Sequence, residues 1–110
     1  MSAVAGLFGS ENAGRVLLYL QNYGEGYARA IADGYGLPHS VIQKQLLRLE
    51  REGVLVSQLK GRTRVFTWNP RFALRAELSA LLEKALMFVP KTEARIFIGR
   101  SRPRRTGKRP

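Results

Sequence analysis

No cysteine occurs among the 110 residues. This excludes a disulfide scaffold, a thiolate metal site, a cysteine nucleophile and a thiol redox switch. The single histidine is His39, so a His-rich metal site and a His–His acid/base pair are excluded, and nothing nearby supplies partner ligands to His39. No run of 18 apolar residues is present, which removes a membrane-spanning helix. Met1 to Phe8 is apolar but short and lacks a basic start, unlike a secretory signal, and the expected location is the cytoplasm. Acidic residues are scarce: eight in all, none of them after Glu93. They lie mostly near basic residues, and no nucleophile has a partner at recognisable spacing. No enzyme and no cofactor are expected, and no internal repeat is visible.

Positive charge dominates what is there. Nineteen Lys and Arg give a formal net charge of +11. Residues 91–110 hold eight basic residues against Glu93 alone, whereas residues 1–90 hold eleven basic and seven acidic residues. Such a balance favours polyanions, nucleic acid first and an anionic membrane surface second. The 12.4 kDa chain is large enough for one small core.

Hydrophobic spacing gives the elements. Ser10 is suited to cap a helix whose apolar positions are Ala13, Val16, Leu17 and Leu20. Asn22 to Gly26, with two glycines, ends it. Arg29 to Tyr35 is a second, weaker helix because it contains Gly34, and Gly36-Leu37-Pro38 is a turn. A third helix over about Ser40 to Glu52 places Ile42, Leu46 and Leu49 on its buried face, with Ser40, Gln43, Lys44, Leu47, Arg48 and Arg51 outward. Two β-rich runs, Val54 to Leu59 and Arg64 to Asn69, flank a glycine-containing turn and predict a hairpin. Asn69-Pro70 predicts the start of a long helix over 71–89, with an apolar stripe from Leu74 to Val89 and Pro90 as its stop. Glu93 to Ile98 predicts a short strand. Gly99 to Pro110 has the composition of a disordered tail. Tyr19, Tyr23, Tyr27 and Tyr35, and Phe66 and Trp68, are expected to pack elements together rather than to stack on bases.

These residues resemble a known family. Ile31-Ala32, Gly36-Leu37-Pro38, Val41-Ile42, Leu46, Leu49 and Glu50-Arg51-Glu52-Gly53-Val54-Leu55 look like the pattern of bacterial and archaeal winged helix-turn-helix transcriptional regulators. The arsenical-repressor-like and multiple-antibiotic-resistance-repressor-like groups both show it. Leu7-Phe8-Gly9-Ser10 and Asn69-Pro70 further resemble small winged-helix proteins associated with minimal nucleotidyltransferases. The likeness covers about residues 7–89. It implies a mainly α fold with a small β-hairpin and a long C-terminal helix. The DNA-binding domain is then expected over residues 1–90, its C-terminal helix at 71–89, and a flexible basic tail at 91–110. The arsenical-repressor thiolates are missing, so that metal-sensing route is not carried over.

The resemblance implies that the third helix enters the major groove of double-stranded DNA by its N-terminal end. His39, Ser40, Val41, Gln43 and Lys44 are the candidates there. Gln43 suits adenine, Lys44 suits guanine and Val41 suits a thymine methyl. Arg48 and Arg51 are placed to reach phosphates. At the hairpin tip, Lys60, Arg62 and Arg64 are three cations in five residues, suited to phosphate or the minor groove. The expected function is sequence-specific, non-catalytic transcriptional regulation. Alternatives are an adaptor that recruits a partner enzyme such as a nucleotidyltransferase through the C-terminal helix, or a non-specific nucleic-acid binder acting through its tail. The wide stripe, with Leu78, Leu82, Leu86 and Val89 as its seam, predicts a homodimer. Ile96-Phe97-Ile98-Gly99-Arg100-Ser101 faintly resembles the entrance of a nucleotidyltransferase domain, but the paired carboxylates that should follow are absent.

Overall fold

The computed structural model describes residues 7–98. The segments Met1 to Gly6 and Gly99 to Pro110, and with them the basic tail beyond Ile98, lie outside the described residues. Three helices, α1 (Glu11–Tyr23), α2 (Ala28–Tyr35) and α3 (His39–Arg51), precede a hairpin of β2 (Leu55–Lys60) and β3 (Thr63–Trp68). A two-residue strand β1 (Glu25–Gly26) sits between α1 and α2. Helix α4 (Arg75–Ala85) follows the hairpin, continued by a 3-10 turn at Leu86–Phe88, and a short α5 (Lys91–Ala94) runs into a second 3-10 turn at Arg95–Phe97. The fold is mainly α with a three-stranded antiparallel sheet in the order β1-β3-β2.

Local chemistry explains most of these boundaries. The Ser10 hydroxyl accepts from the Ala13 backbone N–H at 3.2 Å and starts α1. Between β2 and β3 only Gly61 and Arg62 intervene, since Lys60 pairs with Thr63. Gly61 has φ 67°, and a positive φ at the first central position is what two-residue hairpin turns require. Asn69 does not start a helix. Its Nδ2 donates to the Gly53 carbonyl at 2.8 Å and its Oδ1 accepts from the Arg71 N–H at 2.9 Å. It thus clamps the base of the hairpin, and α4 begins six residues later than Asn69, not at 71. The long helix expected over 71–89 is therefore an 11-residue helix plus a tighter last turn.

One apolar cluster holds the elements together. Leu17 and Leu20 from α1, Ile31 from α2, Ile42 and Leu46 from α3, Leu55 and Phe66 from the sheet, and Leu82 from α4 all have under 2% of their surface exposed. Fully burying such a side chain contributes roughly 1.5–3 kcal/mol. Strand β1 reaches this cluster because Gly26 has no side chain. A Cβ there would sit 3.0 Å from the Tyr19 ring and 3.1 Å from Ile31 Cδ1. Gly26 pairs with Phe66, so this close approach joins the α1–α2 connection to the hairpin. The sequence reading missed β1.

The seam proposed from the sequence is corrected here. Leu82 is fully buried in its own domain, and Leu78, Leu86 and Val89 pack against the same core. The stripe thus serves the monomer, leaving other residues of α4 exposed.

The expected strand over 93–98 is also absent, replaced by α5 and the second 3-10 turn. This segment folds back on α1 and α2. Arg15 Nε donates to Glu93 Oε2 at 3.1 Å, the Tyr23 hydroxyl donates to the Ile96 carbonyl, and Asn22 Nδ2 donates to the Phe97 carbonyl at 3.4 Å. Phe97 meets the Tyr35 ring edge-on at 6.3 Å between centroids. Residues 91–98, grouped with the tail by composition, therefore pack with the domain. The Tyr35 hydroxyl donates to the Arg15 carbonyl at 2.9 Å, and the Arg15 guanidinium lies 5.9 Å from the Tyr35 ring centre. Burial, reinforced by the Glu93 carboxylate, pushes the Tyr35 phenol well above its ordinary value, with Arg15 opposing the shift.

Two outcomes follow from this packing. Leu82→Ala should lower unfolding stability by about 2–5 kcal/mol, whereas Leu59→Ala, 58% exposed at the hairpin end, should cost under about 1 kcal/mol; urea titration compares them. Tyr35 sets an alkaline limit. Below the unfolded phenol's pKa near 10.0 both states keep the proton and its contribution is complete. Above it the unfolded chain ionises while the folded one resists, so stability is lost as pH rises. Tyr35→Phe should make the loss above pH ~10 shallower while costing about 1 kcal/mol at pH 7 through its missing hydrogen bond. Unfolding measured from pH 7 to pH 11, with Tyr19 present in both proteins, checks the difference.

Candidate nucleic-acid interface

Burial of Ile42, Leu46 and Leu49 fixes which side of α3 faces out. Residues one, two and three turns from the exposed Ser40 form a stripe of Ser40, Lys44, Leu47 and Arg51, all exposed. His39 and Gln43 lie beside it, one turn apart. Pro38 is the N-cap and no side chain caps the helix, so its first backbone N–H groups are not taken up by a cap.

The hairpin bends over this end of α3. His39 and Gln43 share one open groove of about 480 Å³ with Arg62, Thr63 and Arg64 of the hairpin and with Tyr27, Ala28 and Arg29 at the start of α2. Four of the ten sequence-chosen candidates are thus brought together: His39, Gln43, Arg62 and Arg64. Ser40, Lys44 and Arg51 are exposed on the adjoining face of α3 but do not line the groove.

The remaining three candidates are placed differently. Val41 is half-buried. Arg48 lies 4.0 Å from Glu52, one turn on, and its buried Nε makes no hydrogen bond among the described residues. Lys60 Nζ sits 3.4 Å from Glu25 Oε1 in an exposed ion pair, so its charge is partly answered from β1. Such a pair is worth only about 0–1 kcal/mol, and Lys60 does not line the groove.

Arg64 is held by a relay that ties the hairpin to α3. Its Nη1 donates to Ser57 Oγ at 3.0 Å, and Ser57 Oγ in turn donates to Glu50 Oε2. Ser57 and Arg64 occupy the same sheet face, since Ser57 pairs with Phe66 and Arg64 with Leu59. By contrast, Arg29 and Arg62 have no carboxylate partner among the described residues.

Sequence reasoning missed Arg29 and Tyr27. Tyr27 is 41% exposed and adjoins Tyr19, whose phenol is raised above its ordinary value by burial first and by the neighbouring Tyr23 and Tyr27 second. The rings of Tyr19 and Tyr23 are 4.5 Å apart. The missing signal was β1: once Glu25–Gly26 joins β3, the first turn of α2 is carried to the hairpin, and Arg29 with it. Chemically, the groove offers guanidinium groups, an amide, an imidazole and a hydroxyl, a set suited to phosphate oxygens and base edges. Among the described residues no three His, Asp or Glu side chains gather as a metal site, and no helix is long and apolar enough to cross a membrane.

No protein-family model, curated protein or solved structure matches the chain.

Proposed function

We propose that this protein is a sequence-specific regulator of transcription that binds double-stranded DNA through a winged helix-turn-helix. Helix α3 would lie in the major groove by its N-terminal half, and the β2–β3 turn would rest on phosphate or in the minor groove. The observation that carries the reading is the shared groove of His39, Gln43, Arg29, Arg62 and Arg64. Three separate elements deliver polar and cationic groups to one concavity, while the exposed stripe of Ser40 and Lys44 continues it along α3. The order helix, strand, helix, helix, hairpin supports the same reading, as does the net charge of +11. The protein acts in this proposal by occupying its site, with the protein's own residues performing no reaction.

Division of labour within the interface gives the test. Duplexes are first selected from a random pool, and the selected and a scrambled duplex are then titrated across a salt series. Gln43→Ala or Lys44→Ala should weaken the selected duplex by about 1–3 kcal/mol and leave the scrambled one nearly unchanged. Arg29→Ala, Arg62→Ala and Arg64→Ala should weaken both duplexes alike and each flatten the salt slope by about one unit. Lys60→Ala, already paired with Glu25, should change less than Arg62→Ala. Deletion of residues 100–110, which contain six basic residues and no acid, should weaken both duplexes similarly and more strongly at low salt. Binding that never discriminates between sequences would leave a cationic nucleic-acid binder. The absence of any binding would leave an adaptor.

A further inference from the structure

We infer that α4 is a self-complementary docking face and that the protein pairs with a second copy of itself through it, the two α4 helices running antiparallel. Leu74, Leu81 and Phe88 are spaced seven residues apart and are 59%, 40% and 68% exposed. Seven residues are close to two helical turns, so the three form one line along α4 and its closing 3-10 turn. This line differs from the row of Leu78, Leu82, Leu86 and Val89, which is spent on the domain's own core. Beside it runs an apolar groove of about 250 Å³ between α4 and the body of the domain, walled by Phe8, Val54 and Phe72 and opening at Leu74 and Leu81.

Charge selects the occupant. Glu77 and Lys84 are exposed and flank the apolar line, again seven residues apart, and neither is in an ion pair among the described residues. A two-fold axis at Leu81 places Leu74 of one copy against Phe88 of the other and Glu77 of one against Lys84 of the other. Each of these contacts then occurs twice, as an isologous interface demands. A parallel arrangement would instead put the two copies of this flank on opposite edges of the seam and leave Glu77 and Lys84 without each other. The exposed Phe88 ring of one copy meets the Leu74 end of the apolar groove in the other, so an exposed knob and an open groove on the same chain are satisfied together.

The test is made without DNA and therefore stands or falls apart from the DNA-binding reading. The full chain is sedimented at concentrations from about 1 to about 100 µM at low salt. A concentration-dependent dimer is expected. Leu81→Glu, at a position the monomer's core does not require, should give monomer with an unchanged far-ultraviolet circular dichroism spectrum. Glu77→Lys and Lys84→Glu should each raise the dissociation constant about tenfold, and the double variant should return to within about threefold of the parent. A parent that stays monomeric throughout overturns the proposal, as does dimer surviving Leu81→Glu. A double charge reversal that weakens association as the product of the single effects overturns the antiparallel register.

Discussion

Burial of Ile42, Leu46 and Leu49 leaves α3 no freedom to turn about its axis. Rotating the helix to hide Gln43 or Lys44 would expose this row, at about 1.5–3 kcal/mol for each side chain. The outward face of α3 is therefore dictated from inside. The same core holds Leu55 and Phe66, so the hairpin has a fixed height relative to α3. What the molecule presents at its surface is the complement of what its centre demands.

A second layer of constraint is polar. The relay from Arg64 through Ser57 to Glu50 crosses from the hairpin to α3, and the Asn69 side chain closes the hairpin base on Gly53. Both arrangements restrict how far the hairpin can swing against the helix. At the other end, the Arg15–Glu93 pair and the bonds from Tyr23 and Asn22 fasten residues 91–98 to α1. Residues 91–97 thus belong to the packed domain on its α1–α2 side.

Legibility in the sequence tracked how local each determinant is. Helices α1 and α3 were readable because a three-four spacing of apolar residues is contained within each, and α1 adds a capping serine. The hairpin was readable because Gly61 and its β-branched and aromatic neighbours are adjacent in the chain. Strand β1 was not readable: two residues, one of them glycine, carry no periodicity, and their pairing depends on Thr67 and Phe66 far along the chain. Ile96-Phe97-Ile98 has strand composition, yet the acceptors it offers to Tyr23 and Asn22 decide for a helical turn. The apolar stripe of α4 was visible, but its width hid two rows, one turned to the core at Leu82 and another outward at Leu74, Leu81 and Phe88. In the candidate interface, Gln43, Arg62 and Arg64 were legible from outward spacing and cation density. Arg29 was not, because only β1 brings it to the groove, and the pairing of Lys60 with Glu25 was not, because it arises through the same strand.

Strand β1 also sets an order of events for the nascent chain. Helices α1 to α3 are joined by contacts close in sequence and can collapse as soon as they are synthesised. Glu25 and Gly26 must wait, since their partners Thr67 and Phe66 lie about forty positions downstream. Until β3 has left the ribosome, the Gly26 segment has an unpaired backbone and the Tyr19–Ile31 niche beside it lacks its lid. The α1–α2 connection, near the start of the chain, is therefore among the last parts to settle. A pause in translation before residue 67 would leave the Glu25–Gly26 backbone without its β3 partners for as long as it lasted.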